Sequence, residues 1–463
     1  MPREGLRRGS RVAIIAGILF LGISVVPDVS IYSEGTICPT SRSLLPSLLI
    51  GRAAASPCPG QEWAISYGTS ASGESAVAAR QTADGGYIVS LKAFGGTGLT
   101  VLLKLNSTGA IQWQKTYGTG YPQPHSLVAL PDGGYAFVNN DGQADARLVR
   151  LDAMGTVLWE KLYGGPGSDS MVSIASTTDG GFIVGGVTDS WGAGSLDFWI
   201  LKLDALGAVQ WERIAGTPAY EFLRAIVQTS DGGYAAVGET DESYGWALKL
   251  DSQGNVVSST RMAGKGSIAN LWSVVATPDG GFIAGGSGSV LVRFTASGAV
   301  AWKKTYGVGS IYGIARTSDG GFVATGLVKL SVYNVDAYVL RLDGNGNAIW
   351  MKTYGGLEPK FSSLADSGWD VQQTSDGGFI VAGETAAFSL GHGDAWVLKL
   401  APDGSVVPSC PSGIGASRNV SASNSKNVLN ALTITTGPTS VALGTGSSTV
   451  ADYTALEVTQ CSS

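Results

Sequence analysis

The residues of this chain that could do chemistry are carboxylates and aromatic rings rather than nucleophiles. Paired carboxylates can act as general acid and base, and exposed aromatic rings offer large amphipathic binding surfaces. The candidates are Trp272, Trp369, Tyr312, Arg224, His125, Trp191, Glu221, Asp169 and Asp366. The chain has only two histidines and no G-x-S-x-G sequence, which argues against a catalytic triad and a histidine-based copper site. We therefore predict no catalytic residue, no metal ligand and no cofactor.

A repeated turn sequence sets the frame in which these residues lie. The sequence D-G-G-[YF] occurs seven times, with steps of 48, 47, 52, 48, 40 and 57 residues between successive Asp residues. The seven are Asp84, Asp132, Asp179, Asp231, Asp279, Asp319 and Asp376. A period of this length indicates a supersecondary unit that cannot bury its apolar side alone, so neighbouring units must stack.

Each repeat reads as four short strands, without helical periodicity. In the first repeat, segments 75–82, 87–91, 100–105 and 111–118 are separated by Asp84-Gly85-Gly86 and by a turn through Gly109. Glycine in such turns supplies the positive φ that tight hairpins need. We predict an all-β fold, a seven-bladed β-propeller of four-stranded antiparallel blades over residues 61–408.

The repeat sequences resemble those of known propeller families. The second half of the repeat, L-D-x-x-G-x-x-x-W, as in residues 151–159, resembles the blades of pyrroloquinoline-quinone-type propellers with a turn one residue shorter. The apolar run ending in Gly-Gly at 182–186 is similar to Kelch repeats. The T-[SP]-D-G-G-[YF] half, as in residues 229–234, resembles the repeats of secreted bacterial and archaeal propeller proteins. The resemblance implies a propeller but brings no cofactor-binding residue with it.

A mismatch between the two ends of the repeat array predicts how the ring closes. In the last repeat the expected Trp is Pro408, which cannot continue a paired strand. Residues 61–68 contain a fourth-strand sequence, W-A-I-S-Y-G, that no repeat precedes. We predict that this segment is the outer strand of the last blade.

Nine of the twelve tryptophans occupy fixed positions in the repeat, and we predict that these nine pack between blades. Trp191, Trp272 and Trp369 do not, and all three fall on the face that carries the variable connections 186–196, 326–335, 355–368 and 383–393. Trp272 and Trp369 lie seven residues before their repeat Asp, at the entry to the innermost strand. The equivalent residues in the other repeats are Val77, His125, Val172, Arg224 and Tyr312.

Carboxylates occupy the position ten residues before the repeat Asp in four repeats. They are Glu74, Asp169, Glu221 and Asp366. Together with the aromatic residues they predict a ligand site at the central mouth on the variable face, because variable loops on a rigid scaffold commonly bind ligands. The alternative is that these are solvated loop residues and partly exposed strand ends.

The N-terminal sequence predicts export. Four arginines precede an apolar run at 12–26, and this length suits a secretory signal better than a membrane span of about 20 residues. We interpret residues 1–33 as a signal peptide, with an uncleaved N-terminal anchor as the alternative, and residues 34–60 as a linker.

The four cysteines lie outside the repeats and predict two disulfides in an exported chain. We pair Cys410 with Cys461, which bracket the Ser/Thr/Gly-rich extension at 409–463. The rival pairing joins Cys58 to Cys410 and would connect the two ends of the array. The composition of the extension predicts a stalk with short strands at 431–435 and 455–459.

Composition limits the partners. A net charge of −6 and a pI of about 5.1 provide no basic patch, so we predict no nucleic acid partner. We predict a secreted or cell-surface monomer, not in a membrane unless the N-terminal segment stays uncleaved. Its predicted function is non-catalytic: a binding or surface scaffold with an extracellular glycan or protein ligand on the variable face. The alternative is a secreted hydrolase or lyase that uses carboxylates at the central mouth.

Overall fold

A computed structural model describes the chain over thirteen ranges and six short segments between 416 and 460. The ranges are 29–31, 37–39, 62–68, 73–93, 100–118, 126–140, 145–240, 244–262, 270–307, 309–331, 334–356, 365–389 and 393–406. The chain divides into two compact units, residues 1–48 and 49–463. The first contains an antiparallel pair, β1 (Val29–Ile31) with β2 (Ile37–Pro39). Among the described residues no helix is long and apolar enough to cross a membrane.

The second unit begins with β3 (Trp63–Gly68) and continues with seven antiparallel sheets, one for each D-G-G turn. Blade 1 contains β4 (Glu74–Gln81), β5 (Tyr87–Ala93), β6 (Thr100–Leu105) and β7 (Ile111–Tyr117). Blade 2 contains β8 (Ser126–Ala129), β9 (Tyr135–Asn140), β10 (Ala146–Leu151) and β11 (Val157–Gly164). Blade 3 contains β12 (Asp169–Ser176), β13 (Phe182–Thr188), β14 (Asp197–Leu203) and β15 (Val209–Ala215).

Blade 4 contains β16 (Glu221–Gln228), β17 (Tyr234–Thr240), β18 (Tyr244–Leu250) and β19 (Val256–Met262). Blade 5 contains β20 (Leu271–Ala276), β21 (Phe282–Gly286), a 3-10 turn (Ser287–Ser289), β22 (Val290–Phe294) and β23 (Val300–Thr305). Blade 6 contains β24 (Ser310–Arg316), β25 (Phe322–Ser331), β26 (Asn334–Leu342) and β27 (Ala348–Tyr354). Blade 7 contains β28 (Ser367–Gln373), β29 (Phe379–Thr385) and β30 (Asp394–Leu400), and takes β3 as its outer strand.

The blades form a closed ring. Each innermost strand contacts the innermost strands of its two neighbours, and β28 of blade 7 contacts β4 of blade 1. The predicted closure is confirmed, because β3 pairs antiparallel with β30 from Trp63–Lys399 to Tyr67–Ala395. The fold is therefore the predicted all-β, seven-bladed propeller.

The core is divided into seven apolar layers, each between two adjacent blades. The layer between blades 7 and 1, for example, combines Trp63 and Tyr67 with Tyr87 and Leu103. A single four-stranded sheet cannot shield its apolar side chains from water. The stacking of blades that the repeat length predicts buries these side chains.

The repeat motif itself joins each blade to the next. The Trp of the fourth strand meets the ring of the next D-G-G-[YF] turn edge to face, as Trp63 does with Tyr87 at 5.8 Å. The Tyr four residues after that Trp donates its hydroxyl proton to the carbonyl oxygen of the next L-D-x-x-G glycine. The five such bonds, each 2.7 Å long, are Tyr67–Gly109, Tyr117–Gly155, Tyr163–Gly207, Tyr306–Gly346 and Tyr354–Gly404. We call these bonds the tyrosine latches.

Within every blade the turn Asp is held by a basic residue from the third strand. Lys104 Nζ lies 2.8 Å from Asp84 Oδ2, and Asp84 Oδ1 also accepts a hydrogen bond from the Gly86 amide. The seven pairs are Lys104–Asp84, Arg150–Asp132, Lys202–Asp179, Lys249–Asp231, Arg293–Asp279, Arg341–Asp319 and Lys399–Asp376. Partial burial acts to raise the pKa of Asp84, but hydrogen bonds from Lys104 and Thr82 lower it to about 2. The Asp of the repeat thus fixes the turn geometry and pairs with a buried cation.

The C-terminal extension adds a fifth, outermost strand to six blades. Its segments are β31 (Ala416–Arg418), β32 (Ser423–Asn424), β33 (Leu429–Asn430), β34 (Ala442–Gly444), β35 (Val450–Asp452) and β36 (Glu457–Gln460). They pair in turn with the outer strands of blades 6, 5, 4, 2, 1 and 7, so the extension passes around the ring against the blade order. The six outer strands differ from the expected stalk. The predicted strand at 455–459 overlaps β36, and the predicted strand at 431–435 lies outside the described residues. The outer strand of each blade presents unpaired backbone groups, and a Ser/Thr/Val-rich segment can satisfy them.

Candidate functional site

The residue seven positions before the repeat Asp is a β-bulge on the innermost strand. In blade 4 the pairing of β16 with β17 shifts between Leu223 and Ala225, which leaves Arg224 outside the ladder. The same shift occurs at Val77, Val172, Trp272, Tyr312 and Trp369. A bulge turns one side chain out of the regular alternation and is common beside functional sites. The repeat therefore turns one side chain out of the ladder on the inner strands of six blades, all but blade 2.

Four successive blades use this position to build a continuous row of contacts. The Arg224 guanidinium lies 4.6 Å from the centre of the Trp272 ring, and Trp272 meets Tyr312 edge to face at 5.9 Å. Tyr312 in turn stacks on Trp369 with ring centres 4.6 Å apart and planes 28° apart. All four side chains are partly exposed. We call this row, which spans blades 4 to 7, the aromatic arc.

A second row of residues, eight positions after each repeat Asp, supports the arc from the second strand. Glu239 accepts a hydrogen bond from Arg224 Nε at 3.1 Å, and Ser287 accepts one from Trp272 Nε1 at 3.2 Å. Glu384 occupies the same position in blade 7, where it accepts a hydrogen bond from Ser367 at 3.1 Å. Sequence reasoning missed this row, although the same alignment that found the arc would have displayed it.

The environment of Glu384 differs from that of an ordinary surface acid. Burial raises the pKa of the Glu384 carboxyl, while hydrogen bonds from Ser367 and Ser75 and the charge of Lys92 act to lower it. Burial likewise lowers the pKa of Lys92, and the carboxylate of Glu384 opposes that shift. Burial raises the pKa of Tyr312, and the negative charge of Glu384 adds to this shift. Glu384 is thus electrostatically linked to both Lys92 and the arc.

The four predicted acids are placed differently from the arc, and the first of them, Glu74, is buried at the start of β4. Asp169, Glu221 and Asp366 are fully buried at the start of the innermost strands of blades 3, 4 and 7. Asp169 accepts hydrogen bonds from the Gly165 amide and the Ser190 hydroxyl, both at 2.7 Å.

Glu221 and Asp366 bind their own connecting loops in the same manner. Glu221 accepts a hydrogen bond from the Thr217 amide at 2.9 Å. Asp366 accepts bonds from the Thr385 hydroxyl at 2.7 Å and from the Gly356 amide at 3.0 Å. Burial raises the pKa of Asp366, and these bonds oppose the shift. Each acid therefore anchors the connection that enters its blade from the preceding one, a role that a buried carboxylate fulfils by accepting backbone donors.

The remaining predicted residues fall away from the arc or outside the described ranges. Trp191 lies in the connection after β13 and packs against Trp199 of blade 3, with ring centres 6.2 Å apart. His125 lies outside the described residues, as do Cys410 and Cys461. Across the described ranges, no group of three or more His, Cys, Asp or Glu side chains could hold a metal ion.

Comparison with known proteins shows a likeness of fold alone. No family model and no curated protein matches the chain. The chain has a WD40 propeller neighbour. This is the WD40 β-propeller domain of Doa1, at 15% identity and a TM-score of 0.43, covering 71% of this chain and 97% of that chain. A protein of unknown function from Bacteroides caccae is also similar, at 16% identity and a TM-score of 0.41, covering 56% of this chain and 91% of that chain.

Proposed function

We propose that this chain is a non-catalytic binding module, exported as a monomer, that holds an extracellular glycan or protein ligand at the mouth of its central channel. The observation that carries the proposal is the aromatic arc, where bulged residues of four successive blades contact one another and stay partly exposed. Fully buried aromatics would serve packing alone, whereas partly exposed Trp and Tyr are typical of binding surfaces. The N-terminal sequence supports export, and the T-[SP]-D-G-G-[YF] repeats support kinship with secreted propellers.

The position of the acids supports binding over catalysis. A hydrolase or lyase needs an acid and a base that face one substrate. Asp169, Glu221 and Asp366 instead lie under separate loops of three blades, and their oxygens accept hydrogen bonds from those loops. This arrangement weighs against the alternative function at the central mouth.

A binding screen with matched tryptophan variants tests the proposal. The secreted protein is applied to a glycan array and a displayed peptide library, and each hit is measured by titration calorimetry. Trp272→Ala with Trp369→Ala should abolish binding and leave the protein folded with a cooperative thermal transition, because both side chains are partly exposed. Trp191→Ala is the control, since it removes a variable-face tryptophan that packs within blade 3. Full binding by the arc variant would overturn the proposal.

A further inference from the structure

The channel wall is one-sided. The bulged position holds Arg224, Trp272, Tyr312 and Trp369 on blades 4 to 7, but only Val77 and Val172 on blades 1 and 3. Large rings therefore line one half of the ring of inner strands, while the described positions on the other half carry small side chains. If the bulged side chains served only to fill the channel, bulky residues would be expected on all sides of it. The observed asymmetry is what a pocket with one apolar wall requires.

The charged side chains beside the arc are arranged in opposite pairs. Arg224 forms an ion pair with Glu239 within blade 4, and Arg80 of blade 1 forms one with Asp370 of blade 7. Lys92 and Glu384 stabilise each other's charged forms across the same blade boundary. Each of these three cations faces a carboxylate, so none of them is left to attract an anion. A ligand that carried a net charge would have to compete with one of these pairs.

The polar groups at the arc are suited to hydroxyl recognition. The partly exposed Ser287 hydroxyl, in the 3-10 turn of blade 5, and the partly exposed carboxylate of Glu384, on β29, lie beside the rings. Glu384 can accept hydrogen bonds, and the Ser287 hydroxyl can both accept and donate them. An apolar ring face beside closely spaced donors and acceptors matches a molecule with one apolar face and a rim of hydroxyls.

We infer that the ligand of the aromatic arc is an uncharged saccharide. Its apolar ring face packs on the aromatic wall, and Glu384 accepts a hydrogen bond from one of its hydroxyls. This inference rests on the proposed binding function and narrows it, because a peptide or an acidic glycan would fit the same location with different chemistry.

The test compares saccharides of equal length that differ in charge. Neutral glucose and N-acetylglucosamine hexasaccharides and a galacturonate hexasaccharide are titrated into the secreted protein at about 0.01 M and 0.3 M salt, conditions between which charge screening changes strongly. We expect a neutral hexasaccharide to bind with an affinity that changes less than twofold between the two salt concentrations. Trp369→Ala should weaken it at least tenfold, and Glu384→Gln several-fold, while Trp191→Ala leaves it unchanged.

The possible failures are distinguishable. Preferred binding of the galacturonate hexasaccharide, or a strong salt dependence, would overturn the uncharged ligand but retain a binding site at the arc. A peptide hit lost in Trp369→Ala would overturn the saccharide and retain the binding module. Saccharide binding that survives Trp272→Ala with Trp369→Ala would overturn both the inference and the proposed function.

Discussion

Removing a single hydroxyl from the closing strand is the sharpest test of the ring. Tyr67 lies on β3 and donates a buried 2.7 Å hydrogen bond to the Gly109 carbonyl of blade 1. Tyr67→Phe keeps the ring shape and leaves that carbonyl without its partner. A buried polar group left unsatisfied costs about 1–3 kcal/mol. We therefore expect a loss of that size in the free energy of unfolding.

The expected change can be converted into a melting temperature. An unfolding entropy of about 2.1 cal/mol/K per residue gives roughly 0.7 kcal/mol/K for a propeller of about 350 residues. The melting temperature should then fall by about 1.5 to 4 °C, which differential scanning calorimetry resolves. Tyr163→Phe provides the matched comparison, because Tyr163 makes the same bond to Gly207 between blades 2 and 3.

Comparing these two variants separates the effect of ring closure from the effect of a tyrosine latch itself. If β3 completes blade 7, Tyr67→Phe and Tyr163→Phe should lower the melting temperature equally. Tyr220→Phe is the control, since its side chain is 48% exposed, and it should have no effect. An unchanged melting temperature for Tyr67→Phe, with a fall for Tyr163→Phe, would refute the closed ring. No fall for either would refute the latches.

Three further outcomes follow from the same contacts. In acid, the pKa of Asp179 is lowered to about 2, so its ion pair stabilises the fold above pH 4 and is lost as the pH falls from about 4 to 2. Asp179→Asn should flatten this part of the profile of melting temperature against pH. A profile identical to that of the parent protein would contradict this expectation. In alkali, burial raises the pKa of Tyr354, so the folded state keeps a proton that the unfolded chain loses, and stability should fall above about pH 10. Tyr354→Phe should make this fall in stability shallower. An equally steep fall in the variant would speak against the expectation. Deleting residues 409–463 uncovers the outer edges of six blades, so the melting temperature should drop and light scattering should show association at rising concentration; a monodisperse variant of unchanged stability would disprove the role of the extension.

The ring and its closure could be predicted because their signals are local and repeated. The D-G-G turns recur seven times, and the fourth-strand sequence at 63–68 matches a gap in the last repeat. The basic partner of each turn Asp was overlooked, since it stands 14 to 23 residues away at an uneven spacing. Its fixed place, two residues before the start of the turn between strands three and four, becomes meaningful only when strands three and two are known to be neighbours.

The site could be predicted in part. The aromatic arc follows from aligning residues around the repeat Asp, and the structure brings Trp272, Tyr312 and Trp369 into contact. The role of Asp366 could not be read this way. A carboxylate at a channel mouth and one that anchors a loop have the same sequence signal, and only the hydrogen bonds from the loop distinguish them. Among the six described strands of the extension only β36 overlaps a predicted one, because segments of two to four residues carry too little alternation to be recognised.

Blade 7 contains the first and the last of the strands described for this unit, because β3 lies between β30 and β36. During synthesis the segment around Trp63 therefore has no partner until the residues around Lys399 have been made, and the tail follows later still. Such distant pairing makes the final step of assembly slow. A polypeptide still emerging from the ribosome therefore cannot complete blade 7, and the ring stays open until synthesis has passed Leu400.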